Sequence, residues 1–253
     1  MMILTDDQRM LQDVVRPFMA EEGAIPAQLR HWRDKGCDDG FGHGLWKQLA
    51  ELGLTGMLIP EAQGGAGLGQ VEANLVLEEI GRNLTPSPFL TTSVAAVRAL
   101  EGSAQAERWF PGIVAGETVA ARAIDEGKTH NPAATALVAK RQGNGFLLNG
   151  QKQFVVHGAS ADVLLMAART AGAASETKGL TLFAVPRETA GVDVENVALA
   201  DSSKAARLTL SDVAVDADAV VGEVDDGWLP LSRALGAGRT GAASELVGIA
   251  TGA

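Results

Sequence analysis

The sequence predicts an α+β fold in which helices and strands occupy separate stretches of the chain. Amphipathic helical segments fill residues 1–117, with apolar side chains at helical spacing. Short apolar runs with turn residues between them fill 118–225, and a helical pattern returns at 226–253. Because the helices and strands do not alternate, we do not expect the parallel sheet of a nucleotide-binding α/β fold. We predict an N-terminal all-helical domain, a middle β domain and the start of a C-terminal helical domain.

The first domain is predicted to contain five helices. Thr5 and Gln8 have the spacing of a capping box, and the apolar residues that follow share one helical face. The other helices are predicted at 45–52, 71–82, 90–101 and 103–115. The glycine-rich "GGAGLG" at 64–69 has the look of a dinucleotide-binding loop, but no βαβ unit surrounds it. We therefore predict a plain loop between two helices.

The middle domain is predicted to contain eight strands with turn residues between them. They are expected at 118–124, 134–141, 145–149, 152–156, 162–168, 179–185, 192–199 and 206–214. "QGNG" at 142–145 and "NGQK" at 149–152 are read as hairpin turns, since Asn and Gly tolerate the positive φ of tight turns. Residues 170–179 are expected to form an exposed loop.

The composition narrows the classes of partner and site. A net charge of -10 argues against nucleic acid or an anionic membrane as the main partner. Cys37 is the only cysteine, which excludes an internal disulfide. The histidines lack ligand spacing, so we predict no metal site; they are His31, His43, His130 and His157. No membrane span and no signal peptide are recognised, which predicts a cytoplasmic protein.

Four segments, in order along the chain, resemble the acyl-CoA dehydrogenase family. They are "LGLTGMLIPEAQGGAGLG" followed by "VLEEIGR", "GSAQAERWFPGIVAGETVAARAI", "LNGQKQFVVHGASADVLLMAAR" and "VDDGWLPLSRALGAGRTGAASELVGIA". The resemblance implies a helical domain at 1–117, a β-barrel-like domain at 118–225 and a four-helix domain of which 226–253 are the incomplete first part.

The resemblance also implies a reaction, a cofactor and partners. Family members use FAD to desaturate the α,β bond of an acyl-CoA thioester. A carboxylate removes the α proton, the flavin accepts a hydride from the β carbon, and donors stabilise enolate charge. The implied partners are an acyl-CoA substrate, an electron-transfer flavoprotein and related subunits in a homo- or hetero-oligomer.

The implied cofactor contacts lie on two strands. The family motif aromatic-x-Val-Thr-Glu-Pro-x-x-Gly-Ser-Asp aligns with "ARAIDEGKTHN" at 121–131. This places Ala123 and Ile124 at the Val-Thr pair beside the flavin, and His130 at the Ser near cofactor phosphate and substrate. Most of the motif differs; the other replacements are Ala121 for the aromatic, Glu126 for Pro and Asn131 for Asp.

On the second strand Phe154 stands where the family usually has a Trp flanking the flavin. Val156 stands where a Thr or Ser hydroxyl would bond near the flavin N5, and valine cannot donate. His157 follows where Asn is common. The strand reads equally well as plain core.

No catalytic base can be assigned within the chain. Some family members carry the base as a Glu directly before an Arg in the first helix of the third domain, and others in a later helix beyond residue 253. Here the first of these positions is Gly238, followed by Arg239, which matches a substrate-site arginine. We do not assign the role to Glu245, which lies about two helical turns beyond Gly238. Nor do we assign it to Asp125 or Glu126, because exposed acidic loop residues with ordinary pKa values are the default.

Three functions therefore remain open. The chain is an acyl-CoA dehydrogenase whose base lies outside it, a non-catalytic subunit that packs against a competent homologue, or an oxidase or monooxygenase of the same fold. The segment 226–253 is also expected to expose an apolar face and to self-associate through it. Its members are Trp228, Leu231, Leu235, Leu246 and Ile249.

Overall fold

The computed structural model describes residues 4–252, and its first part is helical. The helices are α1 (Asp6–Glu21), α2 (His31–Asp34), α3 (His43–Glu51), α4 (Gln70–Arg82), α5 (Val97–Leu100) and α6 (Ala104–Val114). The predicted capping box is confirmed, since the Gln8 amide donates to Thr5 Oγ1 at 3.2 Å and the Thr5 amide donates to Gln8 Oε1 at 3.0 Å. The glycine-rich segment at 64–69 is a loop before α4, as predicted.

The helix predicted at 90–101 differs in kind from a regular α-helix. Phe89–Ala96 is π-helical and runs into α5, and Pro26–Arg30 is π-helical before α2. Two threonine hydroxyls bond main-chain carbonyls here: Thr91 donates to Pro88 at 3.1 Å and Thr92 donates to Ala120 at 3.1 Å. The local Thr91 bond competes with the regular helical hydrogen bonds, whereas the Thr92 bond ties the segment to β1. The apolar spacing alone reveals neither.

The second part is one sheet of eight strands. They are β1 (Ala120–Ala123), β2 (Val138–Gln142), β3 (Gly145–Val156), β4 (Val163–Arg169), β5 (Leu180–Pro186), β6 (Val192–Ala198), β7 (Lys204–Val215) and β8 (Val220–Val221). The order is β6-β7-β3-β2-β4-β5-β8, with β1 parallel to β4. The α+β class is confirmed. Within residues 4–252 the sheet stays open between β6 and β8, so it does not close into a barrel.

Of the two predicted hairpins, one is confirmed and one is wrong. Gln142 pairs with Gly145 across a tight turn between β2 and β3. The "NGQK" segment instead lies inside β3, which is continuous over 12 residues. Gly150 has φ 144° beside an irregularity in the pairing with β7, and a Cβ there would lie 3.0 Å from the Leu137 Cα. This glycine therefore permits a bulge and a close approach rather than a turn.

The third part is a single long helix, α7 (Trp228–Gly252), which crosses α4 in backbone contact. A Cβ on Gly81 would lie 2.1 Å from the Glu245 carbonyl oxygen, and one on Gly248 would lie 1.9 Å from the Glu78 carbonyl oxygen. No side chain fits at either position, so the two glycines fix the closeness of the helices. Among the helices of residues 4–252, none has both the length and the apolar character needed to cross a membrane.

The apolar face predicted for 226–253 is only partly exposed. Leu231 and Leu235 are buried, because the first half of α7 packs on α5 and on the π-helical segment. That part of the prediction is wrong. Leu246 and Ile249 are exposed, as predicted. α7 thus offers apolar surface to solvent at Leu229 near its start and at Leu246, Val247 and Ile249 in its second half.

Candidate functional site

The first group of predicted flavin contacts lies where β1 ends. Ala123 is the last residue of β1 and Ile124 is buried directly after it. The Ile124 carbonyl accepts a bond from Lys152 Nζ at 2.9 Å, and the Gln153 amide donates to the Asp125 carbonyl at 2.7 Å. The loop after β1 is thereby held against β3.

A buried ion pair anchors this loop. Lys152 has no exposed surface, and its Nζ lies 2.7 Å from Glu126 Oε1. Burial lowers the pKa of Lys152, and attraction to Glu126 opposes that shift. The Glu126 carboxylate also accepts the amides of Ala136 and Leu137 at 2.7 and 3.0 Å. Glu126 is therefore fully occupied by contacts within the chain.

His130 lies further along the same loop, at the surface. Its side chain is half exposed, and Nδ1 lies 2.8 Å from Asp125 Oδ2. Asp125 is the less exposed partner, at 20%. Both carboxylates of the loop are thus engaged with side chains of this chain, Glu126 with the buried Lys152 and Asp125 with His130 at the surface.

The second group lies at the end of β3. Phe154 and Val156 expose 55% and 40% of their surface, while Val155 between them is buried. Phe154 has φ 54° beside an irregularity in the pairing with β7. The bulge places the two apolar side chains on the outer surface of the strand, next to one another.

His157 follows with φ 58° and turns inward. Its Nδ1 lies 3.1 Å from Thr91 Oγ1, and its ring packs edge-on against Phe41 at 5.5 Å between centroids. Burial lowers the pKa of His157 to about 4, with attraction to Asp39 opposing the shift. The imidazole is therefore neutral at physiological pH.

A cavity of about 370 Å³ opens beside this strand end. It lies between the end of β3, helix α4, the turn between β6 and β7, and helix α7. Among its lining residues are Ile80, Leu84, Val156, His157, Glu245 and Ile249. Burial raises the pKa of Glu245 to about 7. No pattern in the sequence points to a role for Glu245, because its environment is created by the crossing of α4 and α7.

The position where some family members carry the base is occupied here by a glycine next to an arginine from β1. Gly238 is buried on α7. A Cβ at this position would lie 3.1 Å from Nη1 and 3.4 Å from Nη2 of Arg122. Arg239, the next residue, is exposed. Arg122 was missed in the sequence, although a lone charge in the apolar run 118–124 was a visible signal.

The buried Arg122 side chain has hydrogen-bond donors that lack good acceptors. Its Nε is buried and meets no acceptor among residues 4–252, and Nη1 reaches the Ala234 carbonyl only at 3.5 Å. Burial lowers the pKa of Arg122, and attraction to Asp125 opposes the shift. Arginine nevertheless stays charged in proteins.

These features define a protein of segregated helical and β regions with a binding cavity where they meet. Residues 5–117 match the family model "Acyl-CoA dehydrogenase, N-terminal domain", and residues 125–213 match "Acyl-CoA dehydrogenase, middle domain". The chain belongs to the acyl-CoA dehydrogenase family.

Two curated relatives and two solved structures show the extent of the likeness. Mitochondrial isovaleryl-CoA dehydrogenase of Pongo abelii is 32% identical over 191 residues, covering 73% of this chain and 44% of the relative. Mitochondrial short-chain specific acyl-CoA dehydrogenase of Rattus norvegicus is 28% identical, covering 98% and 61%. The chain thus spans less than two thirds of either relative.

Among solved structures, glutaryl-coenzyme A dehydrogenase in complex with glutaryl-CoA matches with a TM-score of 0.86 at 26% identity, covering 100% of this chain and 65% of that one. The ChsE4-ChsE5 complex from Mycobacterium tuberculosis matches with a TM-score of 0.77 at 27% identity, covering 90% and 60%.

Proposed function

We propose that this chain forms part of a cytoplasmic, FAD-dependent acyl-CoA dehydrogenase that desaturates the α,β bond of an acyl-CoA thioester. The observation that carries the proposal is the cavity between β3, α4 and α7, which Val156 and His157 line at the strand predicted to contact the flavin. Family membership supports the reaction class, and an electron-transfer flavoprotein is the electron acceptor that fits it.

The residues present suit the flat, apolar face of a flavin better than its polar edge. Phe154 and Val156 are two exposed apolar side chains near the end of β3, and such side chains offer surface on which an aromatic ring can pack. Ile124 has no hydroxyl and its carbonyl is already bonded by Lys152. Bound FAD would supply the hydride acceptor. In this proposal Phe154 and Val156 hold the ring through packing, and the buried Ala123 and Ile124 position the loop beside it.

The cavity supplies the proposed acyl site. Ile80, Leu84 and Ile249 give it apolar walls, and neutral His157 adds no charge to them. His130 is the proposed contact for cofactor phosphate and substrate because it is half exposed at the rim of the flavin loop. The exposed Arg239 is a second proposed contact for the anionic part of the substrate.

A second candidate, a non-catalytic subunit of a heteromeric dehydrogenase, is favoured by one specific observation. Where some relatives place a base, this chain has Gly238 beside the Arg122 guanidinium. Glycine cannot abstract a proton, and a neighbouring cation would lower the pKa of any carboxylate placed there. The matched ChsE4-ChsE5 structure is itself a complex of two chains.

The visible spectrum of the purified chain, incubated with FAD and desalted, tests flavin binding. We expect a retained flavin band, and we expect Phe154→Ala to weaken FAD binding because stacking surface is lost. Val138→Ala is the matched control, since Val138 is a comparably exposed apolar residue on the same sheet. Equal FAD binding by the wild type and both variants would remove Phe154 from the proposal.

Bleaching of that band by acyl-CoA separates the two candidates. The chain alone is expected to bind acyl-CoA without bleaching if it is the non-catalytic subunit, and bleaching is expected after co-expression with a homologue that carries the base. Bleaching by the chain alone would contradict the non-catalytic role. No binding of FAD or acyl-CoA in either preparation would contradict the proposed function.

A further inference from the structure

We propose that Glu245 binds an ammonium group carried by the acyl chain of the ligand, so that the cavity between β3, α4 and α7 favours ω-aminoacyl thioesters over aliphatic ones. This inference rests on the proposed function for its thioester, and on the surroundings of Glu245 for its amine. Its starting point is an acid at the wall of a cavity for which residues 4–252 provide no partner.

The crossing of α4 and α7 places Glu245 at the cavity. Its main chain lies against α4, because a Cβ on Gly81 would lie 2.1 Å from the Glu245 carbonyl oxygen. Its side chain is partly buried and borders the cavity, so a ligand in the cavity can reach it. Val156, the proposed neighbour of the flavin, borders the same cavity. A thioester held beside Val156 therefore shares its space with the Glu245 carboxyl group.

No cation within residues 4–252 pairs with Glu245. Burial alone raises the pKa of its carboxyl group to about 7, and neither a hydrogen bond nor a charge of these residues contributes. Arg82, next to Gly81 on α4, bonds two glutamates of its own helix at 2.9 and 3.1 Å. Lys204 borders the cavity with its stem against Gly40, where a Cβ would lie 2.8 Å from the Lys204 Cγ. A cation brought by a ligand would therefore stabilise the Glu245 carboxylate.

The rest of the cavity suits a short alkyl chain that ends in a cation. Its apolar walls, along which methylene groups can pack, are Ile80, Leu84 and Ile249. Its volume of about 370 Å³ is at the lower end of the range for small-molecule sites, roughly 300–1,000 Å³. Two further acids, Asp39 and Asp201, border the cavity together with the single lysine. The charge of the lining therefore favours a cation over an anion.

An ammonium group is the ligand group that best fits an unpaired carboxylate. It donates up to three hydrogen bonds and carries the opposite charge. Charge-assisted hydrogen bonds are roughly twice as strong as neutral ones, so an amine should be preferred to a hydroxyl in the same place. The bound cation would also lower the pKa of Glu245 and so favour its ionised form.

Binding of matched thioester pairs tests the inference. The thioesters 6-aminohexanoyl-CoA and 7-aminoheptanoyl-CoA are compared by titration calorimetry, in the presence of FAD, with heptanoyl-CoA and octanoyl-CoA, in which a methyl group replaces the ammonium. The better-fitting aminoacyl thioester should bind on the order of ten- to a hundredfold more tightly than its partner, because it forms a charge-assisted hydrogen bond. Tighter binding of 6-hydroxyhexanoyl-CoA than of 6-aminohexanoyl-CoA would overturn the assignment of an amine.

Substitutions of Glu245 show whether its charge is responsible. Glu245→Gln keeps the shape of the side chain without the charge and should abolish the preference, whereas Glu245→Asp keeps the charge on a shorter stem and should retain part of it. Glu51→Gln is the matched control, since Glu51 is an exposed helical glutamate, and it should keep the full preference. Equal binding of both members of each pair by the wild type, or a preference that survives in Glu245→Gln, would overturn the inference while leaving the proposed function intact.

Hexylamine separates the two levels of proposal. If no thioester binds, the proposed function fails, and the amine site is then judged by thermal unfolding with hexylamine. Stabilisation of the wild type but not of Glu245→Gln would support the site by itself. Equal responses of the two proteins, or no response of either, would overturn it.

Discussion

Two buried cations, one on β1 and one on β3, differ in the acceptors that the chain provides for them. Lys152 on β3 is fully buried, but Glu126, the Ile124 carbonyl and a short loop surround it with acceptors. Arg122 on β1 is buried at its Nε and finds one long bond to a helix carbonyl. The hydrogen bonds and the charge of Lys152 are thus satisfied within the fold. The Arg122 Nε finds no acceptor within residues 4–252. A buried donor without an acceptor is a property expected of a binding group.

The largest expected effect on stability comes from breaking the buried ion pair between Lys152 and Glu126. Glu126→Gln removes the charge that compensates Lys152 and should lower the free energy of unfolding by about 3–5 kcal/mol, measured by urea denaturation at pH 7.5. Glu195→Gln, which breaks an exposed pair with Arg207, should change it by about 1 kcal/mol or less. Equal effects of the two substitutions would show that burial of the first pair has no energetic consequence.

Substitution of Arg122 should change the free energy of unfolding in the opposite direction. Arg122→Met replaces a buried charge whose Nε lacks an acceptor within residues 4–252 with an apolar side chain of similar length, so it should stabilise the chain by about 1–2 kcal/mol. The measurement is again urea denaturation without ligand. A loss of more than about 1 kcal/mol would mean that Arg122 has a structural anion after all.

A carboxylate introduced next to Arg122 should give it the kind of ion pair that Lys152 already has. Gly238→Glu places a carboxylate beside the Arg122 fork, and Gly236→Glu is its control in the same helix because nothing lies within 4 Å of that position. Both gain about 1 kcal/mol of helix propensity over glycine. Only Gly238→Glu should show further coupling with Arg122→Met, of about 1–3 kcal/mol in a double-mutant cycle. Coupling near zero would place the two side chains apart.

The last expected effect depends on pH and concerns Glu245, a partly buried acid for which burial is the cause of the shifted pKa. Burial raises its pKa from 4.5 to about 7, so the folded chain holds an extra proton between these values and its stability falls as pH rises through that window. Glu245→Gln should therefore be about 2 kcal/mol more stable than the wild type at pH 8 and equal to it at pH 4. The exposed Glu51→Gln is the control, measured by thermal unfolding at both pH values. A constant difference across pH would contradict the shift.

Much of the fold could be predicted because its signals are local. The Thr5–Gln8 cap and the turn at 142–145 depend on residues a few positions apart, and both are confirmed. The failures depend on distant residues. Gly150 could be read as a turn because nothing in its neighbours reveals that Leu137 lies against it. Leu231 and Leu235 were expected to be exposed because their cover comes from residues 89–100.

The candidate site was less predictable for the same reason. Family resemblance pointed to Phe154 and Val156, and their exposure agrees with a surface on which something packs. It could not reveal that Glu126 neutralises Lys152, nor that Arg122 faces Gly238, since each pair joins separate elements. Lone charges in apolar runs were the available signal.

The glycine crossing of α4 and α7 has a consequence for redesign of the cavity proposed as the acyl site. Gly81 and Gly248 bring the two backbones into contact, so the width of this wall is set by main chain and not by side chains that can be exchanged. Larger residues at either glycine would separate the helices rather than narrow the cavity. Selection for a shorter or longer ligand should therefore act on Leu84 and Ile249, which line the cavity without holding its frame.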